Sequence, residues 1–333
     1  MHSSLGWELI PPQLTIRFFN MGHIKTRQVS RLMMDVSGSI DVSDPKIVCA
    51  AVLDIFQRRY PGKDFSLLER VYNDFAALYR GELQGFLACD TSYHDIQHVL
   101  DVSLAMARLL DGYDSRHTGA QRLGPELAIL GMIVALFHDS GYIRREGETG
   151  IQHGAEYTKI HVSRSAQFMA EYLPDIGCAE MVELAAKLVH FTGYEFTPDQ
   201  ILLDDPKHRV VGGLVGTADV IAQMADPAYL EKCRDRLYPE FELGGLTHQL
   251  LPDGSEQIIY KSAEDLLLKT PLFIKSTISG RLEKHFNGLY HCVEAHFGGR
   301  NLYMEALENN CRHLEQLIAE NDPALLSSAA LRP

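Results

Sequence analysis

The chain has 333 residues, 46% apolar and 23% charged, with 44 acidic against 31 basic side chains and a formal charge of −13. Length and apolar share are ample for a buried core, and no low-complexity tract argues for disorder. An acidic chain without a basic stripe excludes a nucleic acid polymer as partner, whereas a small phosphate ligand stays compatible because bound cations reverse the local field.

Residues 1–45 are expected to form an irregular N-terminal arm, broken by Pro11-Pro12 and Ser37-Gly38-Ser39, with one strand-like piece over 14–19. Residues 46–325 are expected to form a single all-α domain. Helical periodicity starts near Pro45, with Val48, Val52, Ile55 and Phe56 on one face. A second helix is predicted over 64–79, capped by Asp64 or Ser66 and burying Leu67, Val71, Phe75 and Leu78. A third is predicted over 93–110. Pro125 opens a fourth whose run LAILGMIVALF is apolar on every side, the mark of a helix at a domain centre. It stops at His138-Asp139-Ser140-Gly141, where glycine favours a C-terminus. Further helices are predicted over 156–172, 179–191, 206–225 and 227–237. Pro252-Asp253-Gly254 marks 241–260 as a hairpin or long loop, and the rest of the helices fill 262–295 and 301–320.

Cys49, Cys89, Cys178, Cys233, Cys292 and Cys311 are scattered without a CxxC pair, so reduced thiols in a cytoplasmic protein are expected. No apolar run approaches a membrane span in this reading, and the N-terminus lacks a signal-peptide pattern, so no membrane partner is expected.

Chemistry concentrates in five clusters that follow in order: His98, His138-Asp139, His161, His190 and Asp219. One isolated histidine is ordinarily a core residue with a satisfied ring. An ordered set on separate helices is different, because facing helices that project imidazoles and carboxylates inward are how a bundle builds a two-metal site. Two ionisable groups at the end of a wholly apolar helix are costly unless something pairs with them, and so is Asp219 among Gly212, Gly213, Gly216 and Ala218. His94 and His98, four apart on the predicted third helix, are expected to share a face. His153 is a competitor for the place of His161.

At these residues the chain resembles the HD-domain metal phosphohydrolase superfamily, whose hallmark is a histidine, a His-Asp doublet and a late aspartate: here His98, His138-Asp139 and Asp219. The segment Tyr93-His94-Asp95-Ile96-Gln97-His98 is similar to the YHNxxH signature of cyclic nucleotide phosphodiesterases, with Asp95 where asparagine is usual. The resemblance covers roughly residues 87–225. It implies two divalent ions (Mg, Mn, Fe or Zn) on His98, His138, Asp139, His161, His190 and Asp219, with Asp139 bridging them. It also implies hydrolysis of a phosphodiester, such as a 3′,5′-cyclic nucleotide, by a metal-bridging hydroxide, with His94 protonating the leaving oxygen. Asp95 and Asp101 are candidates to orient the ligand rings. Gln223, one turn past Asp219, is a candidate substrate contact, as are Arg145 and Lys187, with Arg144 and Arg164 beside them. Ser140-Gly141-Tyr142-Ile143 replaces the histidine and glycine that follow the doublet in those phosphodiesterases, and the GYP signature of cyclic dinucleotide phosphodiesterases is missing. Two alternatives are a di-iron oxygenase of the same superfamily, which shares the ligand order, and a regulatory module that binds a nucleotide.

Overall fold

The computed structural model describes residues 32–251, 253–322, 325 and 331; the strand-like piece expected over 14–19 and most of the arm lie outside them. The fold is all-α, as the periodicity requires, with one short hairpin. Helix α1 (Pro45–Arg59) starts where Asp44 accepts a hydrogen bond from Lys46 N and Pro45 occupies the first turn. Helix α2 (Ser66–Arg80) follows Asp64, whose carboxylate accepts from Ser66 N at 2.9 Å, and it ends on Gly81 at φ 70°. It buries Leu68, which shifts the expected Leu67 to the edge of the contact.

Helix α3 (Ile96–Arg116) begins later than its periodicity suggests. The Asp95 carboxylate accepts from His98 N at 2.9 Å and caps it there, so His94 lies ahead of the helix and does not share a helical face with His98. Helix α4 (Gly124–Phe137) is buried almost throughout its second half. The stretch Gly119–Tyr142 is long and apolar enough to cross a membrane, contrary to the expectation from sequence, but 56% of an 18-residue window within it is buried inside the fold, as befits a core helix.

Helix α5 (His161–Asp175) and helix α6 (Val182–Leu188) are shorter than predicted because each is flanked by 3-10 turns, Gly154–Tyr157 before α5 and Val189–Phe191 after α6. Helix α7 (Pro206–Ala225) has the predicted bounds, set by the Asp205 cap and Pro206. Helix α8 (Tyr229–Lys232) passes through a π-helical turn (Cys233–Leu237) into α9 (Tyr238–Leu243), extending the helix beyond its expected end at 237. The hairpin pairs β1 (His248–Leu250) with β2 (Glu256–Ile258) antiparallel, Gln249 opposite Gln257. Helix α10 (Ala263–Thr277) runs on into a π-helical segment (Ile278–His285), and α11 (Val293–His296) and α12 (Leu302–Glu320) are the last helices among the described residues.

Helix α3 is the hub, packed against α1, α4, α7 and α11, and α4 also reaches α2 and α7. Each fully buried Leu, Val or Phe in this core contributes about 1.5–3 kcal/mol relative to exposure. Residues ahead of α1 are tied to the hub. Asp35 accepts from Ser37, Ser39 and Ile40 N and pairs with Arg108 of α3 at 2.5 Å, while Arg108 also bonds the Tyr303 hydroxyl.

Two glycines set the spacing that the site depends on. A Cβ at Gly141 would lie 1.9 Å from the His161 carbonyl oxygen, so only glycine lets the turn after α4 touch the start of α5. A Cβ at Gly216 would lie 2.5 Å from the Phe191 carbonyl oxygen and from the Phe286 ring, so glycine brings α7 close as well. The six cysteines are unpaired.

Candidate metal centre

Local backbone places each polar group at an element's end or on its inner face. His98 sits in the first turn of α3, His138 and Asp139 follow α4 directly, His161 opens α5, and Asp219 faces inward from α7. His98, His138 and Asp139 are 7%, 1% and 2% exposed, and one ligand atom from each lies within 4.8 Å of the other two. The Asp139 Oδ2 atom is 3.1 Å from His138 Nε2 and 3.4 Å from His98 Nε2. Asp219 Oδ1 approaches the same two nitrogens at 3.7 and 3.6 Å. Four side chains from three helical segments therefore converge on one point.

The donor set fits a cation. His138 Nδ1 donates to the Ala135 carbonyl at 2.8 Å, which leaves Nε2 with its lone pair directed at Asp139. Both His138 Nε2 and Asp139 Oδ2 are buried without a hydrogen-bond partner. Two lone pairs facing each other across such a gap repel, and a positive charge between them removes the repulsion. Without an ion, a proton on Nε2 meets the same demand for positive charge. Burial would depress His138, but the charges of Asp139 and Asp219 raise its pKa to about 9. Burial would raise Asp139, yet His138 and His98 hold it well below the usual carboxylate range.

A second set of contacts surrounds the other oxygen of Asp139. His161 Nε2 lies 3.7 Å from Asp139 Oδ1, and its Nδ1 donates to Thr158 O at 2.7 Å, the same arrangement as at His138. Burial lowers the His161 pKa, favouring a neutral ligand form. His153 does not take its place: its side chain accepts from Ala155 N and caps the 3-10 turn before α5. His190 stands apart. Its Nδ1 is 3.5 Å from Glu195, and among the described residues neither ring nitrogen comes within 4.0 Å of Asp139 or Asp219. His190 lies in the 3-10 turn (Val189–Phe191) that follows α6, where the sequence suggests an uninterrupted helix.

His94 is held by a residue without a sequence signal. Its Nδ1 is 2.7 Å from Glu240 Oε2, on α9, and Glu240 Oε1 accepts from Tyr93 N. Burial alone would lower the His94 pKa, but Glu240, Asp139 and Asp219 raise it above the ordinary value. The Glu240 carboxyl, 2% exposed, would be raised by burial, yet His94 holds it down. Tyr142 lies between two imidazoles, stacked on His94 at 4.5 Å and on His161 at 4.4 Å between ring centroids.

These groups open onto a cavity of about 460 Å³, shared by His94, His138, Asp139, His161, Asp219 and Gln223. Gln223 Oε1 accepts from the Tyr93 hydroxyl at 3.2 Å. Arg145 and Lys187 are not part of the lining; they pair with Glu171 and Glu183, each at 2.7 Å. Arg144 pairs with Asp90 at 2.8 Å. Arg164 donates to the Gly141 carbonyl and fastens the turn after α4 to α5. Asp95 and Asp101 do not orient the rings. Asp95 is engaged as the α3 cap and with Arg236 at 3.0 Å, and Asp101 lies among Asp226, Lys232 and Arg108.

An all-α fold that gathers histidines and carboxylates from distant segments into one cavity defines a helical protein with a candidate metal centre. The chain belongs to the Npun_R2479-like family, whose model matches residues 46–309. No curated protein matches the chain.

Proposed function

We propose that this protein is a metal-dependent phosphohydrolase that cleaves a phosphodiester, in keeping with its resemblance to the HD-domain superfamily. The observation that carries the reading is the His94–Glu240 pair at 2.7 Å beside the His98, His138, Asp139 and Asp219 cluster, with His94, His138, Asp139 and Asp219 lining one cavity. His98, His138, Asp139 and Asp219 would hold one divalent ion, and Asp139 Oδ1 with His161 would offer a place for a second. Such an ion supplies Lewis-acid polarisation of a phosphoryl oxygen and a water more acidic than bulk.

The chain's own residues supply the proton. Glu240 engages Nδ1 of His94, which leaves Nε2 as the atom that carries a transferable proton. As a hydroxide oxygen bonds to phosphorus and the P–O ester bond breaks, that proton passes to the leaving alkoxide, and the buried carboxylate of Glu240 keeps the imidazole ready to take another from solvent. The Tyr142 ring fixes the plane of His94 by stacking. The di-iron oxygenase alternative draws on the same clusters, and the buried His94–Glu240 pair favours hydrolysis over it, because a general acid is needed there and not in oxygen chemistry.

The test uses two substrates. His94→Ala should cut turnover of a cyclic nucleotide by about 10²–10⁴-fold, the usual worth of general acid catalysis, while bis-p-nitrophenyl phosphate, whose phenolate hardly needs a proton, loses far less. Equal losses on both substrates, or no hydrolysis of either by the wild-type protein supplied with Mg, Mn, Fe or Zn, would reject the reading.

A further inference from the structure

The metal cavity adjoins a second, open pocket of about 380 Å³, and the two share Gly193, Tyr194 and Phe273. Residues that follow the 3-10 turn after α6 form one side of this pocket. The run from α10 into the π-helical segment forms the other, with Ser276, Thr277, Arg281 and His285. Tyr194 joins the two spaces electrostatically, lying within reach of Arg281 and of Asp219 in the metal cluster.

The pocket runs against the charge of the chain. Acidic side chains outnumber basic ones 44 to 31 overall, yet among the described residues none lines this pocket, whereas Arg281 and His285 do. The Arg281 guanidinium has hydrogen bonds but no ion pair. It donates to the carbonyls of Phe191, Thr192 and Gly193, and it lies 4.2 Å over the Tyr194 ring. Carbonyls and ring faces orient a guanidinium but carry no net charge, so its positive charge stays uncancelled. Arginines on nearby segments differ, since Arg164 pairs with Glu148 at 3.1 Å and Arg236 with Asp95 at 3.0 Å. Two acidic neighbours in sequence are engaged elsewhere. Glu195 accepts from the Ser163 hydroxyl at 2.8 Å and stands 3.5 Å from His190 Nδ1, and Glu283 accepts from the Tyr290 hydroxyl.

We propose that this pocket is a second anion subsite, and that the substrate is a phosphodiester whose organic group ends in a further oxyanion. The phosphodiester would sit at the metal cluster, the connecting group would run over Tyr194 and Phe273, and the remote oxyanion would face Arg281. The assignment rests on the phosphohydrolase reading and goes beyond a 3′,5′-cyclic nucleotide, whose single charge leaves the pocket unused.

Binding of inert probes tests this without turnover. Methylphosphinates carry the single charge of a diester and have no P–O ester bond to break. Benzyl and biphenyl-4-ylmethyl methylphosphinate would be titrated by calorimetry into the Mn²⁺-supplied protein, each beside its para-sulfonated counterpart, so that one or two rings separate the charges. At least one sulfonate should bind about tenfold or more tightly than its uncharged parent, the worth of a hydrogen bond to a charged group. Rising salt should shrink that gain. Arg281→Gln should cancel it. Ser276→Asp, at an exposed position, places a negative charge in the pocket without touching the Arg281 bonds and should cancel it too, which decides the matter if the arginine variant does not fold.

Sulfonates that bind no more tightly than their parents, a gain that survives Ser276→Asp and a folded Arg281→Gln, or no binding of any probe would overturn the proposal. If the gain is present but no phosphodiester is hydrolysed with any supplied metal, the phosphohydrolase reading fails while the anion subsite stands. If diesters are hydrolysed and the gain is missing, only the subsite fails.

Discussion

Glu240→Gln keeps the side chain's shape and removes its charge, which makes it a sharper probe of the proton donor than deleting His94. The carboxylate accepts from two donors in a nearly closed space, Tyr93 N and, at 2.7 Å, His94 Nδ1. An amide has a single acceptor oxygen, so its NH₂ must face one of them. Facing Tyr93 N leaves a buried donor unpaired and costs about 1–3 kcal/mol of stability. Facing His94 forces the other tautomer, in which Nδ1 accepts and the ring is neutral. In both arrangements the imidazolium loses its charged partner. Hydrogen bonds to charged groups are worth about 1.5–3 kcal/mol, which converts to about a 10- to 150-fold drop in turnover. The assay is kcat on a cyclic nucleotide and on bis-p-nitrophenyl phosphate, alongside metal content by elemental analysis. The cyclic nucleotide should show the full loss, the aryl ester little, and the metal content none. Unchanged turnover of the cyclic nucleotide would refute the link between Glu240 and proton delivery, and equal losses on both substrates would make the residue structural.

Three other predictions concern the centre and its supports. Asp139→Ala should leave a helical protein by circular dichroism yet abolish turnover and metal-dependent stabilisation, which for the wild type should reach about 2.7 kcal/mol at a hundredfold excess of metal over its Kd; retained metal binding would rule out Asp139 as a ligand. Gly141→Ala should destabilise the fold by about 1–3 kcal/mol or more in urea melts, because its Cβ would sit 1.9 Å from the His161 carbonyl oxygen, and a neutral result would mean the turn after α4 moves freely. Asp101 has a pKa raised to about 8 from the ordinary 3.8, by burial and then by the Asp226 charge. The folded protein therefore keeps a proton that the unfolded chain releases, so stability contributed here falls as pH rises from about 4 to about 8. Asp101→Asn should gain on the wild type across that window, by up to about 1.4 kcal/mol per pH unit, and a difference that stays flat between pH 5 and 8 would contradict the assignment.

What could be seen in the sequence was whatever local physics decides. Asp205-Pro206 announces α7 to the residue, and the doublet at the end of an apolar helix announces the cluster, because both signals are complete within a few positions. His94 falls outside α3 by an equally local rule: Asp95 is a strong cap, and a capped helix excludes the residue before it. Glu240 was invisible for a different reason. It lies 146 residues after His94, inside a helix whose extension past 237 no periodicity marks, and its role exists only once α9 is docked. His190 likewise sits in a 3-10 turn, a small change in winding that composition does not register.

The π-helical turn at Cys233–Leu237 makes the proton donor sensitive to chain length as well as to side-chain identity. Such a turn is a single-residue insertion into an α-helix, tolerated mostly where a function needs the altered phase. Each residue advances a helix by about 100°, so removing one position from 233–237 would swing Glu240 about a quarter of a turn away from His94 while leaving every side chain in the cluster intact. Among relatives of this chain, the length of that turn would then separate those able to keep a charged imidazole beside the centre from those that have only the metal ligands.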